Sequence, residues 1–434
     1  MKYNIRAEAV GSLCRIKKDG KYPNLELGAA LGRGEYTPAD KALYAALVYG
    51  VCERALTLDW EIERLTGRGA ASMDAETVST LQVGLYQIYY MDKIPPHAAV
   101  NETVAAAPAR SRGLVNAVLR RALREGGRLM LPEGDKSLYY SLPQWIIDLW
   151  ERDYPDDADA LCESVNRRPP LTLCVNGIKT STENVLSHFA DAGINAVHNA
   201  MFPDMIDVIT KGVAVTELPG FDNGDFFVQD AASNGAVRIL DVSPGMRVAD
   251  VCAAPGGKSL AAAIMMENRG EVHAFDIHKN KLGLLEKSAE RLGVGIITAA
   301  ERDAKAGGDD ASMRRAYDRV ICDVPCSGLG VIAKKPDIRY KSEDKVRRLS
   351  EIQSAILSAS AELVKEDGVL VYSTCTLRRA ENDDIVDKFL HEHDDFEPDV
   401  FTLPHTGEAS RVTFMPHKHG TDGFFAAKLR RIKA

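Results

Sequence analysis

Apolar residues recur at helical spacing through the first 150 residues. PADKALYAALVYGVCERAL, DAETVSTLQVGLYQIYYMD, PHAAVNETVAAAPA and GLVNAVLRRALRE each place them three and four positions apart, the period of a one-sided helix. Pro38, Asp74 and Pro96 stand near the starts of these stretches, where helices accept or prefer such residues. The pattern predicts an all-α domain over residues 1–150. NRRPPLTLCVN (166–176) then reads as a Pro-punctuated junction. Short strands and helices alternate over 171–230, so residues 151–235 are expected to form a linker helix and a small α+β segment.

From residue 245 the pattern changes again. RVADVC (247–252), EVHAFD (271–276), GIITAA (295–300), DRVICDV (318–324) and GVLVYSTC (368–375) are apolar and β-rich, as strands buried on both faces should be. The helical stretches GGKSLAAAIMM, KNKLGLLEKSAERLG and a long one from about 346 to 364 separate them. Such alternation predicts an α/β domain over 236–434 with a doubly wound sheet, which binds ligands at the C-terminal ends of its strands.

Composition narrows the class. A chain of 434 residues allows two or three domains. Apolar residues at 45% and charged residues at 27% describe an ordinary soluble protein. Apolar runs such as AAAIMM are too short to span a bilayer, and the start, MKYNIRAEAVGSLCRI, lacks the pattern of a signal peptide. A cytoplasmic location without a membrane partner is therefore expected. Eight cysteines include no C-x-x-C pair, so they are expected to be thiols. The pairs His391/His393 and His417/His419 have no supporting ligands at metal spacing, and no metal is expected. The net charge of −8 is uneven, because residues 1–150 carry 19 Lys and Arg against 17 Asp and Glu. Arg110, Arg112, Arg120, Arg121, Arg124 and Arg128 gather there with only Glu125 opposing. The face of Arg120, Arg121 and Arg124 is a candidate contact for RNA phosphates, against the plainer reading of a solvated helix face.

AAPGGKS (253–259) looks at first like a phosphate loop. The Walker pattern needs a glycine where Cys252 stands, and the G-x-G-x-x-G fingerprint is also missing. What remains is a strand, a Gly256-Gly257 turn and a helix, with acids at or near four strand ends: Asp250, Asp276, Asp303 and Asp323. Four carboxylates would repel a triphosphate. They suit a cofactor with cationic groups and ribose hydroxyls, and Asp276, about 20 residues past the turn, is placed for the hydroxyls. S-adenosyl-L-methionine (SAM) fits this description.

Cys326 in DVPCSGLG and Cys375 in YSTCTL both fall at strand ends. Either alone reads best as a small buried hydrophobe. Two beside four acids point to chemistry: a thiolate adding to carbon 6 of a cytosine makes carbon 5 nucleophilic enough to take a methyl group. Asp323 is then a candidate acid at ring nitrogen 3. The target base must be single-stranded or flipped out.

CAAPGGKS, DVPCSGLG, YSTCTL with Glu381-Asn382, QDAAS (229–233) and DGFFAAKL (422–429) resemble the motifs of the Nop/Sun family of RNA cytosine carbon-5 methyltransferases. The match covers about 170 to 434. HAAVNETV and LVNAVLRRALRE resemble a NusB-like domain, which within that family marks the bacterial ribosomal branch. The resemblance implies a Rossmann-like methyltransferase domain behind a NusB-like RNA-binding domain, acting as a monomer on small-subunit ribosomal RNA. It implies SAM binding by Cys252, Ala253, Ala254, Pro255, Gly256, Gly257, Lys258, Asp276, Asp303 and Asp323. It also implies attack by Cys375 and adduct breakdown assisted by Cys326, although in DNA cytosine methyltransferases the Pro-Cys cysteine attacks instead.

The chain departs from the family in three places. Lys334-Lys335-Pro336-Asp337, with Tyr340, stands where Arg-Arg-x-Pro-Asp and a Trp are usual. The lysines keep the charge for RNA but lose the bidentate fork. Cys174 replaces an arginine and Arg379-Ala380 replaces Pro-Glu, so substrate contacts rather than chemistry are in question. Rival readings are a non-catalytic RNA-binding assembly factor, a nucleotide hydrolase, and a methyltransferase acting on transfer RNA or protein. The first predicts loss of a cysteine or an acid, and all are present.

Overall fold

The computed structural model describes residues 4–19, 23–31, 36–167, 169–210, 212–404 and 406–432. The chain divides into two compact units, one of residues 1–167 with 332–341, the other of 168–331 with 342–434.

The first unit is helical: α1 (Ile5–Asp19), α2 (Pro23–Leu31), α3 (Pro38–Thr66), α4 (Ala75–Tyr90), α5 (Pro96–Ala106), α6 (Arg112–Arg124), α7 (Lys136–Tyr140), α8 (Gln144–Asp153) and α9 (Ala158–Ser164). Local signals set the ends. Thr37 and Asp40 form a reciprocal capping box around Pro38, and α3 stops at Gly67 in the left-handed region. Asp74 caps α4 by accepting from Thr77 N at 3.0 Å. Tyr44, Leu47, Val51, Leu58, Ile62 and Leu65 line the buried face of α3 at helical spacing. Each such side chain contributes roughly 1.5–3 kcal/mol by leaving water. The segment 332–341, far away in sequence, completes this unit. Within it Arg339 is fully buried and donates to the carbonyls of Ser141 (3.0 Å), Glu53 and Val165, while Tyr340 OH donates to Cys52 O at 2.9 Å.

The second unit holds two sheets that matter for the site. The smaller has the order β2–β3–β1–β4 and is antiparallel throughout, from β1 (Leu171–Val175), β2 (Ala196–His198), β3 (Met205–Val208) and β4 (Phe226–Val228). Helix α10 (Thr182–Asp191) packs on it through Val185 and Phe189. After α11 (Ala231–Leu240) come β5 (Arg247–Asp250), α12 (Gly257–Met265), β6 (Glu271–Asp276), α13 (Lys279–Leu292), β7 (Ile297–Glu301) and β8 (Tyr317–Asp323). They are followed by α14 (Glu343–Arg347), α15 (Leu349–Ala361), β9 (Val364–Thr374) and α16 (Asp383–Glu392). Strands β9, β8, β5, β6 and β7 lie side by side and parallel, as the alternation predicts. The chain runs outward from β5 through β6 to β7 and then returns to β8 on the other side. The switch point therefore lies between β5 and β8, where such sheets open a ligand crevice.

The structure adds to the pattern in two respects. The expected helix over 346–364 is two helices, α14 and α15, meeting at Arg348. The sheet is also mixed. Beyond β9 it continues antiparallel through β14 (Phe424–Arg431) to β10 (Phe396–Pro398), and β13 (Arg411–Phe414) pairs with β14. Only nine residues, 415–423, join β13 to β14, with the four-residue helix α17 (Pro416–His419) among them, and so short a link favours an antiparallel pair. The hairpin β11 (Phe401–Leu403) with β12 (Gly407–Ala409) stands apart. Among the described residues no helix is long and apolar enough to cross a membrane.

Candidate active site

The turn after β5 crosses beneath its neighbours. Val251 N donates to Ile321 O of β8 (3.0 Å) and Ala253 N to Phe275 O of β6 (2.7 Å), which fixes Cys252 and Ala253 between the two strands. Ala254–Pro255 is cis. Gly256 follows at φ 111°, and a Cβ there would lie 2.4 Å from Leu285, so only glycine fits. Gly257 and Lys258 open α12.

The acids divide by environment. Asp276 ties the turn to the end of β6, accepting from Ala254 N (3.1 Å) and His278 N (2.8 Å). Asp303 is exposed at the start of a short turn, accepting from Lys305 N at 3.0 Å. Asp250 is buried to 1% exposure and accepts from Ser259 Oγ at 2.7 Å. Burial pushes its carboxyl up to about 7, with Ser259 and Lys258 opposing. Its second oxygen, Oδ1, is buried without a hydrogen-bond partner. An orphaned buried carboxylate oxygen beside a close-approach glycine turn fits a ligand that brings a cation, and the ammonium of SAM is one.

Asp323 ends β8 and accepts from two sides: the Lys258 ammonium at 2.6 Å and the Ser373 hydroxyl of β9 at 2.8 Å. Lys258 also sits 5.0 Å from the centre of the Phe424 ring. Burial works against its charge, but Asp323, Asp250 and Cys375 together raise its pKa above the ordinary lysine value. Thus the lysine of the glycine turn reaches across the switch point toward β8 and β9.

The two cysteines meet. Cys326 Sγ and Cys375 Sγ are 3.2 Å apart, and each keeps partial exposure. A hydrogen bond with Cys375, burial, and the charges of Cys375, Glu381 and Asp323 push the Cys326 thiol well above its usual value. Their loops are joined next door, where Ser327 Oγ and Thr376 Oγ1 share a 2.6 Å hydrogen bond. Gly330 N donates to Cys375 O (3.1 Å) and Gly423 N to Gly330 O (2.9 Å). A Cβ on Gly330 would fall 1.9 Å from the Gly423 carbonyl, which explains the glycine of DVPCSGLG. Cys252 and Cys322, by contrast, are thiols whose pKa burial raises, in keeping with packing.

Asp250, Asp276, Asp323, Lys258, Cys326 and Cys375 therefore all gather at the strand ends of one sheet. Three contributors escaped the sequence reading. Ser259 and Ser373 sat inside quoted motifs but were read only for their neighbours, and Gln353 on α15 carried no motif at all. The candidate RNA residues lie elsewhere, in the first unit. On α6, Arg120 donates to Asn116 (2.9 Å), and Arg121 binds Glu125 (2.8 Å) and Leu65 O (2.8 Å). Lys334 is half-buried and Lys335 exposed in the 332–341 segment. Among the described residues no group of three or more His, Cys, Asp or Glu could hold a metal ion. His393 stacks on Phe389, and His419 accepts from Met415 N.

Three family models match in series: a NusB family model over residues 3–124, a ferredoxin-like domain of RsmF/B-like methyltransferases over 142–216, and a model of 16S rRNA methyltransferase RsmB/F over 237–430. A probable ribosomal RNA small subunit methyltransferase B of Bacillus subtilis is 35% identical over 99% of both chains. A protein of the same description from Synechocystis is 37% identical over 96% of this chain and 97% of its own. The crystal structure of PH0851 superposes with a TM-score of 0.84 over 99% of both chains at 24% identity. NSun6 from Pyrococcus horikoshii, solved with the SAM analogue SFG, gives 0.60 at 22% identity over 67% of this chain and 99% of its own. The chain joins a NusB domain to a Rossmann-like, SAM-dependent methyltransferase domain with an rRNA substrate. It belongs to the RsmB/F family of 16S rRNA methyltransferases.

Proposed function

We propose that the chain methylates carbon 5 of a cytosine in 16S rRNA through a covalent adduct on Cys375. The observation that carries this reading is the 3.2 Å pair of Cys326 and Cys375, with the Lys258–Asp323 pair at the same strand ends. The turn from Cys252 to Lys258, with Asp250, Asp276, Asp303 and Asp323, holds SAM, which when bound supplies an electrophilic methyl group. Asp250 Oδ1 takes its ammonium and Asp276 its ribose hydroxyls.

Cys375 acts as the thiolate, favoured by the Lys258 charge. Its sulfur forms a bond to carbon 6 of the cytosine, and the ring electrons move to carbon 5. Asp323 faces the polar edge of the ring at nitrogen 3, with the Lys258 ammonium beside it as charge builds there. After methylation the carbon 5 proton passes to water and the carbon–sulfur bond pair returns to Cys375. Cys326 donates its S–H to that departing thiolate. Residues 1–150 serve as the RNA-binding domain through Arg120, Arg121 and Arg124, with Lys334 and Lys335 adding phosphate contacts. Residues 151–235 are the linker and small RNA-binding subdomain, and 236–434 the catalytic domain. The enzyme works as a cytoplasmic monomer.

The test uses 16S rRNA and cofactor. Cys326→Ala should accumulate a protein–RNA adduct that survives a denaturing gel, and Cys375→Ala should form none. An adduct in Cys375→Ala would reverse the roles. Bisulfite mapping of the product RNA identifies the cytosine.

A further inference from the structure

Cys326 is held from behind by two side chains, Gln353 and Glu381. The carbonyl of Pro325, on one side of Cys326, accepts from Gln353 Nε2 of α15 at 3.0 Å. The N–H of Ser327, on the other side, donates to Glu381 Oε2 at 2.9 Å. The two holders are themselves joined, since Gln353 Nε2 also donates to Glu381 Oε2 at 2.8 Å. Ser327, Gln353 and Glu381 are all fully buried. Tyr372 OH donates to Glu381 O (2.6 Å) and Ser350 Oγ to Ala380 O (2.9 Å), so the turn carrying Glu381 is anchored to both β9 and α15.

A clamp of this shape does not need a charge. An amide oxygen could accept both hydrogen bonds, whereas a buried carboxylate costs several kcal/mol of desolvation. The nearest cation offsets part of that cost without closing a hydrogen bond. Arg378 stands 3.6 Å from Glu381 Oε1, too far for a hydrogen bond, and Oε1 has no other partner. A buried negative charge, paired with Arg378 but not hydrogen-bonded by it, therefore lies behind Cys326 and acts on its thiol, while the Lys258 cation and Cys375 act on one another. The groups acting on the pair are Glu381, Asp323, Lys258 and Arg378, with Tyr372 behind. A negative neighbour disfavours a thiolate and a positive one favours it.

We infer that Gln353 and Glu381 are positioning residues for Cys326: they fix the peptides on both sides of it and keep the negative charge of the thiol pair on Cys375. This rests on the reading of Cys375 as nucleophile. It adds the device that makes two adjacent thiols unequal, so that one attacks while the other keeps the proton it donates at the end.

The first test needs no RNA. Limited alkylation of the full chain with iodoacetamide, mapped by mass spectrometry, reports which thiol carries the charge. The parent protein should label mainly at Cys375. Glu381→Gln, which can keep both hydrogen bonds, should shift the ratio toward Cys326 by about tenfold, the effect of a 1.4 kcal/mol change. An unchanged ratio in folded Glu381→Gln would overturn the inference. Should that variant not fold, Gln353→Met carries the test. It should still form the RNA adduct but resolve it about tenfold more slowly, and parental resolution would equally sink the clamp. The nucleophile assignment itself is decided separately, by the Cys375→Ala adduct gel.

Discussion

Two fully buried carboxylates in different parts of the chain are treated in opposite ways. Glu61 on α3 is saturated: Arg64 binds both its oxygens, at 2.7 and 2.8 Å, and Tyr89 OH adds a third bond at 2.6 Å. Asp250 at the end of β5 accepts from Ser259 and has an oxygen without a hydrogen-bond partner. Both are buried to 1% exposure or less. A buried charge with both oxygens hydrogen-bonded is a fastener. One left incomplete beside the glycine turn of a ligand crevice is suited to a cation that arrives with the ligand, which would offset its desolvation cost.

The comparison breaks first at Glu61. Replacing it with Ala leaves Tyr89 OH without its acceptor and Arg64 with Glu125 alone, which should cost about 2 kcal/mol of stability in the helical unit. Denaturant titration measures the loss, and methyl transfer per folded molecule should match the parent. A stable Glu61→Ala variant with impaired catalysis would mean the saturated site is more than a fastener.

Asp250→Asn should show the reverse signature. Losing a charged partner for the cofactor's ammonium should weaken SAM binding by about 1.5–3 kcal/mol, read by calorimetry. Stability without cofactor should move the other way. Burial raises the Asp250 carboxyl to about 7, above its unfolded value of about 3.9. The folded protein holds that proton more tightly, so the associated stability is complete below about pH 4 and lost as pH rises through 7. Asparagine carries no such dependence. From pH 4 to pH 8 the thermal midpoint of Asp250→Asn should therefore gain on the parent. A constant difference across that range would show that the carboxyl titrates normally.

How much of this could be read from the chain follows from the range of each interaction. The parallel strands, the Gly256 turn, Asp250, Asp276, Asp323 and both cysteines are local features, and the fold brings them to the strand ends of one sheet, while Asp303 stays exposed. The partners of those residues are not local. Lys258 finds Asp323 across 65 residues, Ser327 finds Thr376 across 49, and Gln353 finds Glu381 across 28. A glutamine on an amphipathic helix gives no sign of which backbone it will hold. The antiparallel extension through β14 was hidden for a related reason. DGFFAAKL is legible as a motif, but its pairing and direction depend on the short link from β13.

The basic face of α6 shows the same limit, and it yields the smallest of these effects. Arg120, Arg121 and Arg124 look equivalent in sequence. The structure separates them, because Arg121 joins α6 to the end of α3 through Glu125 and the Leu65 carbonyl, and Glu125 also binds Arg64 at 2.7 Å. Arg121 is thus a neighbour of the saturated Glu61 cluster. Arg124 is exposed and makes no hydrogen bond or ion pair among the described residues. Arg124→Gln should leave the melting temperature unchanged. If the face contacts phosphate, the variant should weaken RNA binding severalfold at low salt and reduce the salt slope by about one ion. Arg121→Gln should lower the melting temperature as well, since it removes a partner of Glu125 and of the α3 terminus. RNA binding by Arg124→Gln that matches the parent at every salt concentration would take this face out of recognition, leaving α6 a packing helix with a solvated side.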